Sequence, residues 1–417
     1  MRKQSVTPDG VRVVLEEVLT SFTQADVGAT RIQLLGPTGE VQHGFDAPAG
    51  SFLSDFCAHP SGQVSAVLIA PDRTVALVRL DRTLSLLATH TIHDPAVHDD
   101  LAGVDGGPTD LFANGFAPDA ARIASAGEDV VAVVYSSFYS VIAYRASFAG
   151  SAWSDPARTL VEPPRPVTPF LPIGGTFDTF GAIVDWFRPQ LDTDEEGNAY
   201  VSIWAHPIKV RAHVTAFHDG LAPLHPEVPH ASDSDVLLTR LNRDGTRAWS
   251  RVVGTENEDE PYGIRGRHGQ VAVVGRSRRF PGTDNTAWDA FVSVSTTAGE
   301  LVGSRAIALD ASSIFLSADL SSGGTWFLGG SDGWSQNPDG LSVITFGTKL
   351  LVGLSPFDAA PVRHVLPVGP RHNEVRSVFV DTRRVWYGGH EDGPIMHTAD
   401  ADLTQIHSTA VLGAIAE

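Results

Sequence analysis

Histidines and aspartates crowd two stretches of this chain, and both residue types bind divalent ions. His90, His93 and His98 stand among Asp94, Asp99 and Asp100. Imidazole with carboxylate suits Zn2+ or a similar ion. The spacing matches no established motif, and a polar loop accounts for the same residues. His213, His218, His225 and His230 follow His206 in a second stretch, interleaved with Pro223, Pro226 and Pro229. Imidazoles there could hold metal or respond to mild acid. The prolines point instead to an extended arm that packs on the protein or on a partner. In LDTDEEGN, Asp192, Asp194 and Glu196 alternate as in a calcium loop. An EF-hand, however, needs a 12-residue loop closed by a bidentate Glu. A β-run follows at once here, so a plain turn is expected.

Arginines form a third group. Arg265, Arg267, Arg276, Arg278 and Arg279 fall within one short stretch. Strand alternation puts Arg265 and Arg267 on the same side, able to grip a carboxylate or phosphate. Glu256, Glu258, Asp259 and Glu260 just upstream offer surface ion pairing instead. In IVDWFRPQ, Asp185, Trp186 and Arg188 set a carboxylate and a guanidinium beside an aromatic ring. That grouping suits a sugar or small molecule, although Trp186 alone reads equally well as packing. The candidate binding residues are therefore Asp185, Trp186, Arg188, Arg265, Arg267, Arg276, His213 and His218. The candidate metal ligands are His90, His93 and His98. No catalytic residue is assigned, and HExxH, P-loop, GxGxxG and paired-cysteine motifs are all missing from the sequence.

The elements that must position these residues repeat along the chain. VAVVGRS (271–277), TWFLGGS (325–331) and RVWYGGH (384–390) each set two apolar residues before a glycine. Tight turns precede the phrases at His268-Gly269, Gly323-Gly324 and Arg383-Arg384, with fainter copies at Asp9-Gly10, Ser61-Gly62, Gly127-Glu128 and Gly197-Asn198. Neighbouring turns lie roughly 50 to 70 residues apart, a period that belongs to propeller blades. A second set of turns falls at Pro37-Thr38-Gly39, Asp81-Arg82, Ala149-Gly150, Asp244-Gly245, Ala298-Gly299, Pro356-Phe357 and Asp400-Ala401. Each repeat thus parses into four strands with two tight hairpins. LEEVLTSF near Leu15 reads as strand despite some helical periodicity.

The expected fold is all-β: one propeller domain over 1–417, most simply seven blades of four antiparallel strands, with six or eight as alternatives. In such a blade the A–B and C–D turns leave one face, and the B–C and D–A connections leave the other. The first class is short throughout. The second holds the insertions at about 91–119, 161–182 and 206–233, where binding residues usually sit. Too few residues precede Asp9 for a full first strand, so STAVLGAIA near the C-terminus is expected to pair beside the N-terminal repeat.

A net charge of −19 and a pI near 5.2 argue against nucleic acid or an anionic membrane as partner. Forty glycines and 27 prolines suit a turn-dense β-chain. Cys57, the single cysteine, lies in apolar FLSDFC and reads as a buried small hydrophobe. No apolar run is long enough for a transmembrane helix. Arg2 and Lys3 lead into polar QSVTPDG rather than an apolar core, which fits a cytoplasmic chain or a mature form whose leader is gone.

EEGNAYVSIW, DVLLTRLNRDGTRAWSRVVGT and GQVAVVGRS resemble the SBBP-type β-propeller repeats of bacterial secreted and cell-surface proteins. The resemblance runs from about Leu191 to Gly389 and is poor before Ala120. Arg or Leu replaces the usual Lys of the third strand, and several repeats lack the Trp after the second turn. The resemblance implies a propeller and an exported, extracellular, periplasmic or surface location, and it carries no catalytic residue. The expectation is a non-catalytic scaffold that binds a protein or glycan at its long-loop face, with no cofactor. EEGNAYVSIW is also similar to a strand phrase of calcium-dependent lactonase and esterase propellers. That likeness implies, as the alternative, a metal-dependent hydrolase whose divalent ion sits in a central channel. RDGTRAW alone resembles the tryptophan-docking repeats of quinone-cofactor dehydrogenases.

Overall fold

The structure, a computed structural model, describes residues 3–6, 12–17, 30–36, 39–70, 74–92, 121–137, 140–162, 189–205, 235–255, 257, 259–278, 288–309, 312–336, 343–366, 373–381, 384–391 and 409–416. Among them every regular element is a strand. Contacts divide the chain into two compact units, one built mainly from residues 1–199 and the other mainly from residues 200–417.

In the first unit, β1 (Lys3–Val6), β2 (Arg12–Glu17), β3 (Thr30–Leu35) and β4 (Val41–Asp46) form one sheet in chain order. A second sheet comprises β5 (Phe52–Ala58), β6 (Val64–Ile69), β7 (Val75–Leu80) and β8 (Leu86–Ile92). The third contains β9 (Ala121–Ala126), β10 (Asp129–Ser137) and β11 (Ser140–Ala146). A small extra hairpin, β12 (Phe148–Ala149) and β13 (Ala152–Trp153), then intervenes before the outer strand β14 (Ala157–Glu162). The fourth sheet in chain order is β15 (Gln190–Thr193), β16 (Ala199–Ala205), β17 (Asp235–Leu241) and β18 (Arg247–Val253).

The second unit continues with β19 (Asp259–Arg267), β20 (Gln270–Arg278), β21 (Trp288–Thr296) and β22 (Leu301–Ile307). Next come β23 (Ser313–Leu320), β24 (Trp326–Gln336), β25 (Val343–Leu354) and the short β26 (Val362–Arg363). The last sheet has three strands, β27 (Asn373–Val380), β28 (Arg384–Glu391) and β29 (Thr409–Ala416). Seven such antiparallel meanders are the blades of a β-propeller, so the fold class and blade number expected from the turns hold.

Apolar cores lie between successive sheets. Val67, Leu77, Ile123, Ala132 and Ile142 pack together in the first unit. Val274, Val292, Phe315, Leu328 and Val352 do so in the second. Second and third strands bury both faces, which is why VSAVLI and VALVRL are continuous apolar runs rather than alternating ones. Outer strands such as β4 are exposed along most of their length. Each fully buried Val, Leu or Phe contributes about 1.5–3 kcal/mol.

The first-set turns Ser61-Gly62, Gly127-Glu128, Gly197-Asn198, His268-Gly269 and Gly323-Gly324 fall between the first and second strands of their sheets; Asp9-Gly10 and Arg383 lie outside the described residues. Gly245, in a second-set turn, adopts φ +86°, a conformation that residues with a Cβ reach only with strain. Ala149-Gly150 departs from the simple parse, because it tips the extra β12–β13 hairpin instead of joining third to fourth strand directly. Asp400-Ala401 lies outside the described residues.

The phrase glycines have a steric cause. In β19, β23 and β27 the register shifts at Pro261/Gly263, Phe315/Ser317 and Val375/Ser377, a bulge in each first strand. There the carbonyls of Glu260, Ile314 and Glu374 occupy the space that a Cβ would need at Gly275, Gly330 and Gly389.

One expectation is corrected. The C-terminal run is not a strand of the N-terminal sheet: β29 pairs with β28 from Glu391↔Thr409 to Arg384↔Ala416. The first sheet opens on its own strand, β1, paired with β2. Without β29 the second edge of β28 would go unpaired, and that pairing decides where the run goes.

Candidate functional site

Strand order fixes where each connection attaches. First-to-second and third-to-fourth strand connections leave each sheet at one end, and the segments 93–120, 163–189, 206–234, 279–287, 337–342 and 392–408 all attach at the other, together with the short links 70–74 and 138–139. The candidate site is that second end, and the described residues around it in the second unit are strongly polar.

The fifth sheet carries the clearest cluster. Glu260, near the start of β19, receives a hydrogen bond from Arg276 Nε at 2.6 Å. Both side chains are almost fully buried. The Arg276 guanidinium lies 4.1 Å from the Trp288 ring centroid and 5.6 Å from that of Tyr262. Tyr262 also donates its hydroxyl to Glu260 at 3.1 Å. Beside them the buried Asp259 accepts hydrogen bonds from the Thr255 amide and hydroxyl. Trp288 and Arg276 flank the 279–287 connection, so this cluster fixes both of its anchors.

The sixth and seventh sheets repeat the theme. Ser313 donates to Asp332 at 2.9 Å, and Arg363 pairs with the same carboxylate at 2.8 Å. Buried Lys349 lies opposite Ser331 in the register, and Glu374 pairs with Arg376. Lys349 was not singled out from sequence. A charged residue within ITFGTKLLVGL, in a chain with three lysines, was the available signal.

Arg265 and Arg267 lie on one side of β19, as alternation requires, but at the opposite end of the sheet from Arg276. The carboxylate they grip is the protein's own. Arg265 Nε and Arg267 Nη1 reach Asp319 at 2.8 and 2.7 Å, and Asp319 is fully buried. Its carboxylate also accepts the Val380 amide at 2.6 Å. Asp319 thereby ties together the first strands of three successive sheets. The expected surface ion pairing gives way to a pair anchored in the interior.

In the first unit a second polar network escaped the sequence reading. His59 is 1% exposed. Its Nδ1 lies 2.9 Å from the Gly127 carbonyl and therefore donates, leaving Nε2 to accept from the Ser65 hydroxyl at 2.8 Å. Ser65 in turn accepts from Arg79 Nη1 at 3.2 Å, and Arg79 Nη2 pairs with Glu128 at 2.6 Å. Burial, then the nearby Arg79 charge, push the His59 pKa down to about 4. Partial burial pushes the Glu128 carboxyl upward, but hydrogen bonds from Ser61 and Arg79 hold it below its ordinary value. Cys57 is buried nearby, 3.9 Å from His59 Nε2.

The other candidates are soon placed. His90 is half-buried on β8. His93, His98, Asp185, Trp186, Arg188, His213 and His218 lie outside the described residues. Among the described residues no group of three or more His, Cys, Asp or Glu side chains is arranged to hold a metal ion. In LDTDEEGN, Asp194 Oδ1 accepts the amides of Glu196 and Asn198 at 3.0 and 2.9 Å. The segment is a self-satisfied Asx-type turn, as expected.

No family model matches the chain, and no curated protein matches it. Among solved structures it is similar to Penicillium chrysogenum α-L-arabinanase complexed with arabinobiose, at 11% identity over 88% of this chain and 94% of that one, with a TM-score of 0.47. It is similar to the PL25 ulvan lyase at 11% identity over 86% and 78%, TM-score 0.45. It is also similar to the β-propeller domain of the Trilobed protease from Pyrococcus furiosus, at 10% identity over 88% and 85%, TM-score 0.43. Likeness at this level carries no residue role or activity across.

Proposed function

We propose that this protein is a non-catalytic binding or scaffold propeller, exported or held at the cell surface, that engages a protein or a glycan. Kinship with the SBBP-type repeats belongs to the same reading and rests on the phrases between Leu191 and Gly389. The observation that supports it is the strand order, which attaches every long connection at the same sheet end. Paired charges there fit anchoring: Arg276 is neutralised by Glu260 and stacked on Trp288, which ties together the strand ends on either side of residues 279–287.

The test compares the full chain with a variant whose residues 206–234 are replaced by a short Gly-Ser turn. Both are crosslinked in native extract and screened on a glycan array. One protein or glycan bound by the full chain and lost in the variant is the expected result. The competing reading is a metal-dependent hydrolase. One stoichiometric divalent ion by elemental analysis, together with ester or lactone turnover, would replace the binding reading with that one.

A further inference from the structure

Resting on the binding reading above, we infer that Tyr262, Leu316 and Arg376 form one subsite for a carboxylate-bearing sugar, a uronic acid unit of a glycan. Each is the extra residue of a bulge. The register of β19, β23 and β27 steps over them, at Pro261/Gly263, Phe315/Ser317 and Val375/Ser377. Bulges of this kind re-aim single side chains.

The three strands are neighbours along their length. At the end of the first-to-second turns, Asp319 joins them through Arg265, Arg267 and the Val380 amide. Toward the other end, the Leu316 carbonyl oxygen lies 2.6 Å from where a Cβ on Gly263 would sit, so β19 and β23 touch beside Tyr262. Val375 Cγ1 and Ser317 Oγ lie 2.6 and 3.0 Å from the Cβ position of Gly329, which brings β27 and β23 together at the same level. The bulges therefore form a row, in the order Tyr262, Leu316, Arg376.

That row is exposed although its strand neighbours are not. Pro261, Gly263, Phe315, Val375 and Ser377 are buried, whereas Tyr262 and Leu316 are half-buried and the Arg376 side chain is 42% exposed. A bulge does not force this. In β5 the corresponding Ser54 is buried and donates to the Ala121 carbonyl at 2.7 Å.

The side chains select the ligand. Glu374 accepts from Arg376 Nε and so holds the guanidinium, whose Nη1–Nη2 edge suits a planar, bidentate acceptor. Because that pair is neutral, it suits a singly charged carboxylate better than a phosphate monoester of roughly two charges. Tyr262 is fixed by its hydroxyl bond to Glu260 at 3.1 Å and backed by the Arg276 guanidinium, 5.6 Å from its ring centroid. Its ring and Leu316 make a shallow apolar strip, not the deep desolvated pocket in which peptide anchors sit. The flat C–H face of a pyranose matches such a strip, with its carboxylate on Arg376.

Calorimetric titration of the full chain with trigalacturonate, its methyl ester and a peptide bearing a free C-terminal carboxylate tests this. The acid sugar should bind with Kd below ~1 mM. Methyl esterification, Arg376→Lys and Tyr262→Ala should each weaken binding at least about tenfold. Lysine keeps a cation beside Glu374, so Arg376→Lys should melt with the wild type. No binding of the acid sugar, equal binding of its ester, a peptide carboxylate bound in its place, or full affinity in Arg376→Lys overturns the inference. The binding reading outlives any of these results if the full chain still captures a protein or another glycan that the 206–234 replacement loses. Without that capture the reading itself falls.

Discussion

Protonating His59 would place a charge beside Arg79 and oblige Ser65 to accept two hydrogen bonds at once. Its folded pKa, about 4, lies below the ordinary 6.5. Between those values the unfolded chain binds more protons, so stability rises with pH there. The contribution is complete above about pH 6.5, is lost as pH falls toward 4, and amounts to roughly 3 kcal/mol. Urea unfolding from pH 4 to 7 should show this slope in the wild type and a flatter one in His59→Gln; matching slopes would show that the ring is not held neutral. The Glu260–Arg276 pair makes a second claim. Glu260→Ala strands a buried guanidinium and should cost about 3–5 kcal/mol, whereas Glu260→Met with Arg276→Met together should cost less than that single change. Denaturant midpoints decide between them. The His59 network was hard to read in sequence because Arg79 stands in VALVRL and Ser65 in VSAVLI, strands whose apolar character hides a polar partner, Glu128, arriving from another sheet.

At the scale of the strand, the recurrent glycine was visible as a pattern long before its cause. VAVVGRS, TWFLGGS and RVWYGGH announce the position, but a glycine before a polar residue reads equally as a turn. Only the bulged first strand explains it, because the bulge drives a carbonyl into the Cβ position of its neighbour. Gly330→Ala should therefore cost about 2–3 kcal/mol through forced strand displacement. Gly269→Ala meets open space and only a left-handed backbone, so it should cost about 1–2 kcal/mol. Thermal unfolding of the two variants side by side tests the claim; equal losses would mean that the bulge yields freely. The Ala149-Gly150 turn marks the opposite failure. It reads as an ordinary hairpin tip, yet β12 and β13 form a hairpin of their own, with Phe148 set over the Arg79 guanidinium at 5.1 Å.

For the whole molecule, the division between scaffold and loops makes a prediction about stability. Buried contacts lie between sheets, so replacing 206–234 with a short turn should shift the melting temperature by only a few degrees, about what a 1 kcal/mol change produces. A collapse of the fold would show the segment to be structural. The sequence by itself determined the all-β class, the seven repeats and the segregation of long connections from short ones. Those features follow from local chemistry: turn residues with preset φ and apolar runs of strand length. Tertiary structure alone decided which charges meet. Arg265 and Arg267 seize Asp319 from fifty-odd residues away, Arg276 turns to Glu260, and β29 goes to β28 instead of the first sheet. An ion pair or a strand edge is satisfied by whatever the fold brings within hydrogen-bonding reach, and no local pattern encodes that distance.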